Sequence, residues 1–362
     1  MIKKRVVVAM SGGVDSSVAA WLLKKQGYEV IGITMCFNLP QGSRKRPSCC
    51  GIESIEDARR VAEKIGISHY VLNFGKELES KIIDNFCSEY LKGRTPNPCV
   101  RCNQFLKFDL LLKKARAFEA DFLATGHYAR IGYRRKAKRY LLKKGKDGQK
   151  DQSYFLYNIR KDALPHILFP LGNHTKQQVR LMAKKIGIKV ADKPGSQEIC
   201  FIKEDYRDFL RSRLAKTGVK IKPGPIIDLK GKVLGTHKGI CFYTLGQREG
   251  LGIALGYRAY IVKIDKLKNA IVVGQEEDLY SKVLAAESLS FIGMDFPRKP
   301  VSVKAKIRYN HKEASCRLVP LKKNQIKVEF LEPQRAITPG QSVVFYSKDT
   351  VLGGGLIKSA HL

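Results

Sequence analysis

The chain has 362 residues, 44% of them hydrophobic, enough for a sizeable core and for two or three domains rather than one. Lysine and arginine number 67 against 33 acids, and the formal net charge of +34 calls for a polyanionic partner. No apolar run approaches a membrane span and the nine cysteines lack a secreted disulfide pattern, so a cytoplasmic protein without membrane contact is expected.

In chain order, apolar strand patterns alternate with helical ones: strand 5–10, helix 14–26, strand 29–35, helix 55–65, strand 69–73. That alternation predicts a parallel sheet. Helical patterns over 76–92 and 103–119 lead to a short apolar strand over 122–125, completing a doubly wound α/β domain. Ligands of such sheets bind beyond the carboxyl ends of the strands, where Ser11, Met35 and Gly126 all fall, so three segments are expected to share one pocket. Between Arg130 and Lys150 a lysine- and arginine-rich stretch contains Asp147 as its one acid, with Tyr133 and Tyr140 interleaved. It reads as a basic hairpin suited to nucleic acid. A helix is predicted over 175–186 with Thr175 as N-cap and Gly187 as C-cap. Beyond Arg213 the texture changes to short β-like runs between glycines and prolines, and from Ala285 their regular spacing predicts a small antiparallel barrel or sandwich. The expected division is a catalytic α/β domain over 1–210, a small central domain over 211–278 and a C-terminal antiparallel β-barrel over 279–362.

The segment SGGVDSS, Ser11 to Ser17, joins the first strand to the first helix. Its two glycines bring backbone N–H groups close to an anion, its serines add hydroxyl donors, and the helix presents its positive end. Asp15 is placed to hold a Mg2+ that bridges phosphates. No lysine closes the loop, so it is not the GxxxxGK[ST] type. In NPCVRCN, Cys99 and Cys102 lie at the start of a helix among Arg94, Arg101 and Lys107, where a thiol ionises more readily. Cys200, in SQEICFI, is the third candidate. One CxxC is open to several readings: a redox pair, half a zinc site, part of an iron–sulfur site, or two core thiols. Cys36, Cys49, Cys50, Cys87, Cys241 and Cys316 read as small buried hydrophobes.

The loop resembles the PP-loop of the ATP pyrophosphatases. With SGGVDSS, NPCVRCN, ATGHYAR, KDQSYFLY, GSQEICFI, YTLGQREGLG and TPGQSVVFY in this order, essentially the whole chain resembles the bacterial tRNA-specific 2-thiouridylase family, MnmA. The resemblance implies a tRNA 2-sulfurtransferase: ATP adenylates the C2 oxygen of the wobble uridine of a tRNA, and sulfur then displaces AMP through Cys102 and Cys200. It implies nucleotide contacts at Ala9, Met10, Ser11, Gly12, Gly13, Val14, Asp15, Ser16, Met35 and Gly126. The target base falls to Asn97, Pro98 and Cys99, and further tRNA contacts to His127, Lys150, Asp151, Gln152, Arg308, Tyr309 and Gln341. Well-known members carry an aspartate where this chain has Cys99. The third thiol suggests a [4Fe-4S] cluster on Cys99, Cys102 and Cys200 whose open iron delivers sulfide; the rival route is a persulfide on Cys200 resolved by Cys102. ATP, Mg2+, a persulfide carrier or sulfide as sulfur donor, and a monomer or weak dimer complete the expectation.

Overall fold

Val6, Val7 and Val8 are wholly buried, as an apolar run without alternation requires of a strand covered on both faces. They form β1 (Arg5–Ala9) at the centre of a five-stranded parallel sheet. The computed structural model describes residues 3–37, 51–188, 199–202, 205–321 and 324–360. Within them the chain forms two compact units. One lies within Met1–Ile82, Pro98–Lys203 and Lys348–Leu352, the other within Ile83–Asn97, Glu204–Ser347 and Gly353–Leu362.

In the first unit, β1 is followed by α1 (Val14–Lys25), β2 (Glu29–Cys36), α2 (Ile52–Ile65) and β3 (Ser68–Asn73). The predicted helix over 76–92 divides into α3 (Gly75–Leu78), a π-helical stretch (Glu79–Ile83) and α4 (Asp84–Leu91), the last belonging to the second unit. Next come α5 (Pro98–Arg101), a second π-helical stretch (Cys102–Leu111), α6 (Leu112–Ala117) and β4 (Phe122–Ala124). The basic segment is a hairpin, β5 (Ala129–Arg134) and β6 (Arg139–Lys144), with Tyr133 opposite Tyr140. β7 (Ile167–Leu168) and α7 (Lys176–Ile186) complete the unit, α7 opening with a capping box of Thr175 and Gln178.

Sheet order is β3-β2-β1-β4-β7. The chain adds strands to one side of β1 and then crosses to the other with β4, which leaves a crevice at the carboxyl ends of β1 and β4. Val6, Val8, Met10, Val18, Leu23, Val61 and Val179 pack into one core between sheet and helices. Two lysines tie the helices in series at their other ends. Lys24 of α1 donates to the carbonyl of Gly66, the C-cap of α2, and Lys64 of α2 donates to that of Gly187, the C-cap of α7, at 2.5 Å.

In the second unit, α8 (Tyr206–Lys216) is an element that the sequence pattern did not predict; it buries only Leu210 and Leu214, too narrow an apolar stripe to read. β8 (Gly224–Ile227), β9 (Val233–His237), β10 (Tyr260–Asp265) and β11 (Ala270–Gly274) form a small sheet in the order β10-β11-β8-β9. After it come β12 (Tyr280–Ser290), β13 (Val301–Lys306), β14 (Ala314–Leu321), β15 (Gln325–Arg335), β16 (Ser342–Ser347) and β17 (Thr350–Ser359). These six run β12-β15-β14-β13-β16-β17, and β17 returns to β12. Of the two expected forms, barrel or sandwich, the structure has the closed antiparallel barrel.

Candidate functional site

The loop Ser11–Ser17 lies in the crevice between the carboxyl ends of β1 and β4. Ser16 stitches it closed: its hydroxyl accepts from the Ser11 amide at 3.1 Å and donates to the Gly13 carbonyl at 3.1 Å. Ser17 donates to the same carbonyl at 2.9 Å. Two glycines are required by contact. Gly12 has φ +70° and a Cβ there would lie 2.3 Å from the Ser54 carbonyl oxygen in the first turn of α2. A Cβ on Gly126 would lie 2.7 Å from both the carbonyl carbon of Asp15 and the amide of Ser16. Gly126 is thus a wall against which the loop is laid. The N-cap of α1 is Gly13, which has no side chain to cap the helix, so the positive end of α1 adjoins the loop. Ala9 ends β1, and the carbonyl of buried Met10 accepts from Thr34 Oγ1 at 2.9 Å, fastening this edge to β2 one residue before half-buried Met35.

Asp15 is surrounded by residues that the motifs did not single out. Lys176, the first residue of α7, places its ammonium 2.6 and 2.7 Å from the two carboxylate oxygens, and the Tyr128 hydroxyl donates to one of them at 2.8 Å. A lysine does meet this loop, from a helix 161 residues away in sequence. Spacing within the loop carries no trace of it; the signal available was the position of Lys176 just after a strong N-cap. A magnesium ion on Asp15 would have to displace that ammonium.

His127 follows Gly126. Thr125 Oγ1 lies 2.6 Å from its Nδ1, and the rings of Phe108 and Phe169 stand 5.9 and 6.0 Å away. Burial, with a smaller push from Lys107, holds the imidazole well below its ordinary value of 6.5, so it is neutral at physiological pH.

Of the three residues Lys150, Asp151 and Gln152, two are bonded inward. Asp151 is buried; one oxygen accepts from the amides of Gly145 and Ser153, the other from the Ser153 hydroxyl. Gln152 exchanges bonds with the Tyr128 backbone through its own amide and its side-chain oxygen. Lys150 is exposed and lines a groove of about 600 Å³ with Lys176, Arg180 and Lys184. Asp147, in the same wall, accepts from the Lys176 amide at 2.9 Å, so this loop and the start of α7 are built together.

Cys99 is exposed, whereas Cys102 and Cys200 are half-buried. Ser196 to Glu198 of the SQEICFI motif, and the Cys49-Cys50 pair, lie outside the described residues. Among the described residues no three His, Cys, Asp or Glu side chains gather to hold a metal ion. The expected [4Fe-4S] cluster does not fit Cys99, Cys102 and Cys200 as arranged, because three thiolates must converge on it. Burial pushes the thiols of Cys87 and Cys241 up to about 11 and that of Cys316 to about 12, as for inert core cysteines.

In the second unit Asn97 is half-buried; Pro98, with which the first unit resumes, is buried. Arg308 donates to the Ala336 carbonyl and to Thr338 Oγ1, Lys306 stands over the ring of half-buried Tyr309, and Gln341 donates to the backbone of Thr95 and Pro96.

Three family models match the chain in succession: a tRNA methyl transferase HUP domain over residues 4–204, a PRC-barrel domain over 207–275 and an aminomethyltransferase β-barrel domain over 281–357. A tRNA-specific 2-thiouridylase MnmA of Acetivibrio thermocellus is 53% identical, over 99% of this chain and 100% of the relative. One of Halothermothrix orenii is 52% identical over 98% and 99%. A 4-thiouridine synthetase in complex with RNA and ATP is similar over 59% of this chain and 51% of that one, at 17% identity and a TM-score of 0.36. Half-identity sustained from end to end, over a chain that carries this loop, makes it a member of the tRNA-specific 2-thiouridylase MnmA family.

Proposed function

We propose that the protein is an ATP-dependent tRNA sulfurtransferase that replaces the C2 oxygen of a wobble uridine with sulfur. The observation that carries this reading is the loop Ser11–Ser17, laid on Gly126 at the strand crossover, in a chain half-identical throughout to proteins of that name. A uracil oxygen is a poor leaving group. ATP bound along Ala9–Ser16, with Met35 and Gly126, transfers AMP to it and releases pyrophosphate. Mg2+ would come with the nucleotide and supply charge against its phosphates; Asp15 would hold it only if the Lys176 ammonium moved off the carboxylate. Lys176 keeps Asp15 from opposing the triphosphate.

Sulfur then enters by the persulfide route. The terminal sulfur of a Cys200 persulfide attacks C2 and AMP leaves with the former carbonyl oxygen. Cys102 thiolate next attacks Cys200 Sγ, the sulfur–sulfur bond breaks, the thiocarbonyl forms and a Cys102–Cys200 disulfide remains for an external thiol to reduce. A persulfide-carrying protein reloads Cys200. Asn97, Pro98 and Cys99 receive the base. Lys150 and Tyr309 meet the RNA, with the groove beside Lys150 offering cations to its phosphates, while His127 and Arg308, bonded inward, shape the surface it meets. Asp151 and Gln152 build the Lys150 loop. The working division is a catalytic domain over 1–210, a central tRNA-contacting domain over 211–278 and a barrel over 279–362, in a cytoplasmic enzyme.

The test is single-turnover thiolation of a wobble-uridine tRNA by anaerobic, iron-stripped protein given ATP, Mg2+ and a persulfide donor, read as retardation on an organomercury gel. Thiolated tRNA is expected. No product without iron, and product once a cluster and sulfide are supplied, would overturn the persulfide route.

A further inference from the structure

We infer that Gln341 and Gly340 are positioning residues, whose turn in the barrel fixes the backbone leading into Asn97-Pro98-Cys99, the segment assigned above to the target base; the inference rests on that assignment. Gln341 Nε2 donates to the carbonyls of Thr95 at 3.0 Å and Pro96 at 3.2 Å, so both hydrogens of its amide are committed within the protein. The Thr95 amide returns a bond to the Pro339 carbonyl at 2.9 Å. Gly340, at φ +91°, lies so close that a Cβ would stand 2.9 Å from the Thr95 oxygen and 3.0 Å from its nitrogen. No side chain fits between this turn and the segment it holds.

The turn is itself braced. Gly340 N donates to Ile357 O, Ile357 N to Gln341 O and Gln341 N to Thr338 O, while Arg308 holds Ala336 and Thr338 from behind. Arg94 adds a second tie, its guanidinium reaching Glu287 of β12 at 3.2 Å and the Ile357 carbonyl of β17 at 3.3 Å. Residues 94, 95 and 96 are thus each gripped by the barrel immediately before the chain enters the NPC motif. Such a grip explains a polar side chain at position 341 without an RNA contact.

The two roles separate kinetically. Single-turnover thiolation at saturating ATP, persulfide donor and tRNA is measured beside equilibrium tRNA affinity for Gln341→Ala, Gln341→Glu and Gly340→Ala. The saturated rate constant is expected to fall about tenfold to a hundredfold in all three, as for a misplaced reacting group. The tRNA dissociation constant of the two alanine variants is expected to stay within about twofold. Gly340 has no side chain to withdraw from RNA, so its loss of rate cannot be a lost contact, and glutamate does not rescue because it has no proton for the two carbonyls. Weaker tRNA binding at an unchanged saturated rate in Gln341→Ala overturns the inference in favour of an RNA contact; no change in either quantity also overturns it. Thermal melts accompany each variant, and Gln341→Ala, which adds no atoms, decides the matter if Gly340→Ala unfolds. Wild-type protein that thiolates nothing would refute the sulfurtransferase reading itself.

Discussion

A carboxylate inside a phosphate loop opposes the anion the loop receives. Asp15 is held against that tendency by the Lys176 ammonium on both of its oxygens and by the Tyr128 hydroxyl. At this range and in a half-buried setting the charge pair outweighs an ordinary hydrogen bond. On the proposed reading, Lys176→Met leaves that carboxylate unanswered beside a bound triphosphate. Its ATP affinity, measured by calorimetry, is expected to drop about tenfold or more while AMP affinity changes little, because AMP carries no phosphate beyond the first. Equal losses for both nucleotides would assign Lys176 to structure alone. Asp151 teaches the converse. It stands in a motif that resemblance ties to RNA, yet its oxygens serve Gly145 and Ser153. Sequence reports that an acid is needed there, not which way it turns.

At the scale of elements, the β5–β6 hairpin is rich in cations, and an acid meets it at its root. Arg130 and Lys143 each lie 3.2 Å from Asp349, and the first residue of β17, Thr350, pairs with Lys143. Toward the tip, Arg134, Arg135, Lys136 and Lys138 are exposed around Tyr133 and Tyr140, whose rings stand 4.9 Å apart. Replacing those four cations by alanine is expected to lower the slope of log affinity against log salt for tRNA by about 3, with the saturated thiolation rate retained. An unchanged slope would mean that the tip does not meet RNA. The hairpin was legible because its composition is extreme, and β1 because three valines leave a strand no exposed face. Helices with mixed texture were less so. The π-helical stretches insert a residue without altering the apolar pattern enough to announce it, and α8 offers two buried leucines among eleven residues.

Across the whole molecule, four imidazoles share one perturbation. Burial holds His69, His127, His237 and His311 below 6.5, in each case as the largest cause. A folded pKa below the unfolded one means that the unfolded chain binds more protons, so this stability is complete above about pH 6.5 and is lost as pH falls below it. The melting temperature is expected to decline between about pH 7.5 and about pH 5.5, and the decline to be smaller in His127→Phe, whose ring suits the Phe108 and Phe169 box. A variant that declines as steeply as wild type would remove His127 from that account. The order of the parts, α/β domain then small sheet then barrel, followed from periodicity and turn spacing. The cysteines did not, because the arrangement of Cys99, Cys102 and Cys200 is set by packing rather than by the number of residues between them.

The two lysines that close helix ends also bear on the nucleotide loop. A helix is a pair of opposite poles of about half a charge each, and at a distance the poles cancel. Lys24 answers the negative pole of α2, and Lys64 that of α7. These same helices begin beside the loop, α2 with Ser54 against Gly12 and α7 with Lys176 on Asp15. With their far poles answered, the ends that lie at the loop are the positive ones, and each lysine biases its helix toward attracting an anion there.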